Sequence, residues 1–179
     1  LLSAFKGSVR KMAANYLESD TEEGIPDINQ LVTLEGDALK GKVVYERLCS
    51  TCHQVNGAGI NFGPDLSEIG NKLSKDGLYA AIIYPDAGIN FGYDGYVVSL
   101  KDGTRVVGYI TSNTENELQI RQMGGINSTV IRNEVAKLEP LENSLMTSGL
   151  YRAMSEEEFT DLISYLQSLK GGNVIAAAN

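Results

Sequence analysis

The chain has 179 residues and a mass of 19.3 kDa, enough for one ordinary domain of about 150 residues plus appendages. With 42% hydrophobic and 21% charged residues it reads as globular, and its longest apolar run, 78–84, falls far short of the roughly 18 residues of a membrane span. Fifteen Lys and Arg against 23 Asp and Glu leave a net charge of −8, which argues against nucleic acid and against an anionic membrane surface, since both demand a basic face.

The first 17 residues lack the order of a secretory signal. Phe5, Val9, Met12, Ala13, Tyr16 and Leu17 recur at helical spacing and predict an amphipathic helix whose apolar stripe needs a partner. Because the chain starts with Leu, it is expected to be an excised or processed piece of something longer. Residues 18–26 are acidic, lack apolar periodicity and end in Gly24-Ile25-Pro26, the pattern of a linker. A helix is expected over 37–48, with Leu39, Val43, Val44 and Leu48 apolar, and with Gly41 and Tyr45 four apart on one face, a pair suited to a close helix crossing.

Cys49-Ser50-Thr51-Cys52-His53 follows at once, and it contains every Cys and the only His of the chain. C-x-x-C-H is the signature of covalent haem attachment. Two thiols at this spacing can add across the two vinyl groups of one porphyrin edge, and the adjacent His then lies beneath the iron. A thioredoxin-like redox pair needs no His after the second Cys and normally follows a strand, whereas here a helix is expected. Structural zinc wants four N or S donors, and the chain has three such residues.

Beyond the motif, 78–83 reads as a short buried helix ending before Pro85, followed by a Gly-rich loop over 88–95. Apolar runs at 96–100 and 105–110 flank Lys101-Asp102-Gly103-Thr104, a hairpin signal, and further strands are expected at 117–123, 126–131 and 135–138. Together they predict a small antiparallel sheet or barrel of four or five strands. Ser155-Glu156-Glu157-Glu158 is an S-x-x-E capping box opening a helix whose Phe159, Leu162, Ile163, Leu166 and Leu169 keep helical spacing until Gly171-Gly172.

Gly41, Tyr45, the 49–53 motif, Gly63-Pro64-Asp65-Leu66 and the 161–166 segment together resemble the landmarks of class I cytochromes c. More narrowly, the Gly-Pro-Asp-Leu run, the long insert and the 144–150 stretch resemble the haem-binding domain of the Pirellula/Verrucomicrobium type, over about residues 35–172. The resemblance implies that Gly41 and Tyr45 cross the helix carrying Tyr165, that the Pro64 carbonyl accepts the Nδ1–H of His53, and that the second axial ligand is a Met in a loop before the last helix. With one His, bis-histidine ligation within a monomer is excluded by arithmetic, and Met is the natural partner. Of Met12, Met123, Met146 and Met154, Met12 lies on the terminal stripe, Met123 ends a strand-like run with half-buried packing as its plain role, and Met154 suits a hydrophobic staple toward Phe159. Met146 sits in an irregular polar segment and matches the family position best, with Met154 next, although Thr147 stands where the family usually has Pro.

The sequence thus leads to a mainly α cytochrome c fold, three to four core helices around one haem, with an inserted small antiparallel sheet or barrel and an extra N-terminal helix. The expected parts are the N-terminal helix and acidic linker (1–34), a first core segment (35–95), the β insert (96–140), a second core segment with the Met loop and last helix (141–172), and a tail (173–179). Cys49 and Cys52 are the expected anchors of a single haem c, His53 and Met146 the metal ligands, and Pro64 the partner of His53; catalytic residues are expected to be none. Tyr93, Tyr96, Lys72 and Arg47 are candidates for the haem propionates. A six-coordinate iron leaves little room for substrate, so a non-enzymatic electron carrier is expected, and covalent haem maturation puts it outside the bacterial cytoplasm. The resemblance implies a fused or partner periplasmic dehydrogenase as its donor, the acidic charge favours a basic docking patch on that partner, and the insert has dimerisation among its conceivable roles. The alternative is a haem sensor or small-ligand binder with an open or labile sixth position. A peroxidase-like enzyme is disfavoured because no second His exists to act as distal acid–base group.

Overall fold

The computed structural model describes residues 25–171; the amphipathic stripe of 5–17 and the tail at 173–179 lie outside them. Helix α1 (Ile28–Leu31) is capped by Asp27, whose carboxylate accepts the Asn29 amide at 2.9 Å. Helix α2 (Ala38–Leu48) starts at Asp37, whose side chain accepts the Leu39 amide, as an N-cap residue does. Short strands β1 (Gln54–Val55) and β2 (Ala58–Gly59) pair across Asn56-Gly57, followed by α3 (Ile69–Lys72) and α4 (Lys75–Ile83). After the sheet comes α5 (Glu156–Ser168), with both halves of its capping box made: the Glu158 amide donates to Ser155 Oγ at 3.1 Å and the Ser155 amide to Glu158 Oε2 at 3.0 Å.

The crossing of α2 on α5 organises the helical core. A Cβ on Gly41 would lie 1.9 Å from the Asp161 carbonyl oxygen, so the two backbones touch at a point where only glycine fits. Next to it the Tyr45 and Tyr165 rings meet at 5.4 Å, as the resemblance implies. Asp161 is buried, and its Oδ1 accepts the Asp37 amide at 2.6 Å, tying the start of α2 to α5. Around this contact Leu31, Tyr79, Phe159, Leu162 and Ile163 close the core, with Tyr79 edge-on to Phe159 at 4.9 Å.

Residues 95–140 fold as five antiparallel strands, β3 (Gly95–Leu100), β4 (Arg105–Asn113), β5 (Glu117–Gln122), β6 (Ile126–Ile131) and β7 (Val135–Pro140). Strands β3 to β6 form a meander and β7 returns to the free side of β3, giving the order β6-β5-β4-β3-β7. Val98 opposite Val106 and Leu118 opposite Val130 fill one face together with Ile120, a core separate from that of the helices.

The expectation of a mainly α fold is therefore corrected. Five α-helices share the described residues with the five-stranded sheet, at 35% helix against 25% strand, so the fold is mixed α and β. Two of the helices, α1 and α3, are only four residues long. The physical reason lies in the sheet, whose five strands are paired throughout, with register shifts at Ser99/Leu100 and Ile110/Ser112, and which has its own apolar face, and so forms a second structural half.

The sheet reaches the helical half at two places. Tyr109 on β4 packs on Phe62 at 5.8 Å and on Tyr93 at 4.9 Å, while Arg121 Nη1 on β5 donates to the Asn61 carbonyl at 3.1 Å. At the start of β3, Gly95 accepts the Leu141 amide at 2.8 Å, and a Cβ there would stand 3.0 Å from Leu145 Cγ.

Candidate haem-attachment site

The motif is built at the C-terminus of α2. Cys49 is the C-cap residue, its amide bonded to the Tyr45 carbonyl at 2.8 Å, and the Cys52 and His53 amides both return to the Cys49 carbonyl at 3.0 and 2.8 Å. One tight turn thus presents Cys49, Cys52 and His53 together. The chain enters it from a helix, not a strand. Tyr45 Oη donates to the His53 carbonyl at 2.8 Å, so the helix crossing also holds the end of the motif.

A second loop closes on this turn. The Ile60 amide bonds to the Ser50 carbonyl at 2.8 Å, those of Phe62 and Gly63 to the Cys52 carbonyl at 3.0 and 2.6 Å, and that of Leu66 to the Gln54 carbonyl at 2.9 Å. This brings the Pro64 carbonyl to 2.8 Å from His53 Nδ1. A carbonyl can only accept, so the ring donates from Nδ1 and its Nε2 is left with a lone pair, the state of a ligating imidazole. Gly63 lies against the ring itself, where a Cβ would stand 2.5 Å from His53 Cε1.

Electrostatics sharpen the chemistry. Burial lowers the His53 pKa, opposed by its bond to the Pro64 carbonyl, which favours the neutral ring a metal requires. Burial first, and the neighbouring Cys52 second, push the Cys49 thiol up to about 12. The neutral thiol is therefore its favoured form at neutral pH, in contrast to the depressed thiolate of a redox C-x-x-C. Both cysteines are free, with Cys49 buried and Cys52 half-buried. Two unpaired thiols on one turn, a ring with one nitrogen satisfied and the other open, and a glycine where a side chain would strike the ring fit a covalently held haem.

The methionines separate by environment. Met12 lies outside the described residues. Met123 is 65% exposed in the turn between β5 and β6, so the half-buried sheet packing expected for it is corrected: the tight turn at Gly124-Gly125 carries it off the sheet's buried face. Met154 precedes the capping Ser155 and packs on the helical core, in the place of a staple residue. Met146 is half-buried against the same core cluster that contains Cys49, in a loop leading to the short helical turn Leu150–Ala153 before α5. Of the propionate candidates, Arg47 is engaged in a 2.8 Å ion pair with Glu158.

Sequence reasoning overlooked two features of the site. Asn56-Gly57, an Asn-Gly pair with positive φ at both residues, closes the β1–β2 hairpin just after His53 and was a legible turn signal. Asp86, which bonds to the Met146 loop, carries no local signal at all, because its partners lie 58 and 62 residues away.

The sequence model of the cytochrome c family matches residues 38–170, which span α2, the whole C-x-x-C-H turn, the sheet and α5. The chain belongs to the cytochrome c family. Its cofactor is covalently bound haem c, and the family's role is haem-based electron transfer. A comparison with curated proteins found no match. Among the described residues no helix is long and apolar enough to cross a membrane.

Proposed function

We propose that the domain is a single-electron relay in which Cys49 and Cys52 would form the thioether anchors of haem c, and His53, through Nε2, and Met146 would hold its iron. Haem c would supply the one-electron iron couple there, and a thioether ligand in addition to the imidazole would raise its potential. The observation that carries this reading is the 2.8 Å bond between His53 Nδ1 and the Pro64 carbonyl, which orients the ring and makes Nε2 the more basic donor. Met146 and Met154 are both half-buried on the same core cluster, whereas Met123 faces solvent; Met146 is favoured because it lies within the irregular loop before the last helix, while Met154 stands immediately before the capping Ser155, the place of a staple residue.

In this reading residues 35–95 and 141–172 form the haem-bearing part and 96–140 the insert. The electron donor is a fused or neighbouring dehydrogenase outside the cytoplasm, where covalent haem attachment takes place. A net charge of −8 suits a basic docking patch on that partner, with association weakening as salt rises. Optical spectroscopy tests the reading. The oxidised protein should show the sulfur-to-iron charge-transfer band at the red end of the visible range, and the reduced protein should not bind carbon monoxide. Carbon monoxide binding by the wild-type protein would replace the relay with a haem sensor or small-ligand binder. Persistence of the band in Met146→Ala would remove Met146 as the ligand.

A further inference from the structure

We propose that Asp86 is the positioning residue of the distal loop, clamping both flanks of Met146 and so keeping the sixth position closed. The proposal rests on Met146 being the distal ligand. Asp86 follows the buried Pro85 at the end of α4, and the Ala87 amide bonds back to the Tyr84 carbonyl at 3.0 Å, so its backbone is anchored to a helix of the core. Its two carboxylate oxygens then reach across 58 and 62 residues of sequence. Oδ1 accepts the Ser144 amide at 2.6 Å, and Oδ2 accepts the Ser148 hydroxyl at 3.2 Å. Between these two points, Ser144 Oγ accepts the Met146 amide at 3.1 Å.

One carboxylate therefore ties the residue two before Met146 and the residue two after it to the same rigid point. A five-residue loop fixed at both ends by one group has little freedom left for its central residue. Such a loop needs a clamp of this kind. It follows an irregular segment, ends at Gly149 with φ of 75°, and carries Thr147 where a proline would stiffen it in the resembling family. Leu145 adds an apolar hold by packing on Gly95 at the first residue of the sheet. Thioether sulfur is a weak ligand for iron, so the free energy that keeps it in place comes in part from a loop that cannot move away.

The clamp works by hydrogen-bond geometry rather than charge. An Asn at position 86 keeps an oxygen for the Ser144 amide and offers its NH2 to the Ser148 hydroxyl, which can accept. An Ala keeps neither. The test compares haem-loaded wild type, Asp86→Ala, Asp86→Asn and Met146→Ala in the charge-transfer band of the oxidised protein, carbon monoxide binding to the reduced protein, and amide exchange at positions 144 and 146. In Asp86→Ala the open fraction should rise roughly tenfold to a hundredfold, as expected when two ordinary hydrogen bonds are lost. The band should weaken, carbon monoxide should bind, and both amides should exchange faster by a similar factor. Asp86→Asn should stay close to wild type.

The outcomes separate the two ideas. If Met146→Ala opens the iron to carbon monoxide while Asp86→Ala stays as closed as wild type, the clamp is overturned and the ligand assignment stands. If wild type lacks the band, or Met146→Ala leaves it intact, the ligand assignment fails and the clamp with it. Should Asp86→Ala fail to accumulate as folded protein, Ser148→Ala removes only the 3.2 Å bond. It should open the iron in the same direction and less, and a wild-type response there overturns the proposal.

Discussion

Around the attachment turn, the helical half is held by backbone lying against backbone, at Gly41 on the Asp161 carbonyl, and by a buried carboxylate bonded to the Asp37 amide. In the sheet half, the core cluster is made of facing apolar side chains, Val98 on Val106 and Leu118 on Val130. The first arrangement has no tolerance for added volume, because a carbonyl group cannot yield as a side chain can. The second loses stability in proportion to what is removed. The two halves also meet at places that matter for the iron: Phe62 and Asn61 precede Gly63 and Pro64, and Leu145 precedes Met146. A sheet with its own core is thereby placed against the loop that leads to Pro64 and the loop that carries Met146.

The largest effect is expected where the helical half has no space. Gly41→Val should cost about 3 kcal/mol or more, read from denaturant unfolding of the haem-loaded protein, and a loss within about 0.5 kcal/mol would show that the α2–α5 crossing is looser than described. Next comes the core of the sheet. Leu118→Ala should cost about 2–4 kcal/mol, with faster amide exchange in β4 and β5 and an unchanged haem spectrum; equal disturbance of the haem would mean that the halves unfold as one unit. Smallest is the coupling across the seam. A double-mutant cycle on Phe62→Leu and Tyr109→Leu should give an interaction of about 0.5–1.5 kcal/mol, and strict additivity would mean that the aromatic contact merely fills space.

What the sequence made legible was local. The C-x-x-C-H spacing, the Ser155 capping box and the Asp-Gly turn all act over a few residues, and α2, α5 and the five strands of the sheet lie where local pattern puts them, whereas α1, α3 and the β1–β2 hairpin were not among the expected elements. The balance between them was misjudged. The landmarks of the family resemblance lie in loops and helices, and this gave the sheet the standing of an appendage, whereas a five-stranded ladder with a core of its own carries much of the architecture. Illegible altogether were contacts that only folding creates, such as Asp161 on the Asp37 amide and Asp86 on Ser144 and Ser148. An aspartate after a proline reads as a turn residue, and nothing in its neighbourhood indicates that its carboxylate spans a loop almost sixty residues on.

In the proposed relay His53 and one particular methionine of four, Met146, would hold the iron. Methyl-labelled methionine NMR of the reduced protein reads this directly, since a methyl group held over a haem is shifted far upfield by the ring current while the other three stay near their ordinary positions. The account predicts one such resonance, and its loss in Met146→Leu. An upfield methyl that survives this substitution, or a wild-type spectrum without one, would contradict it.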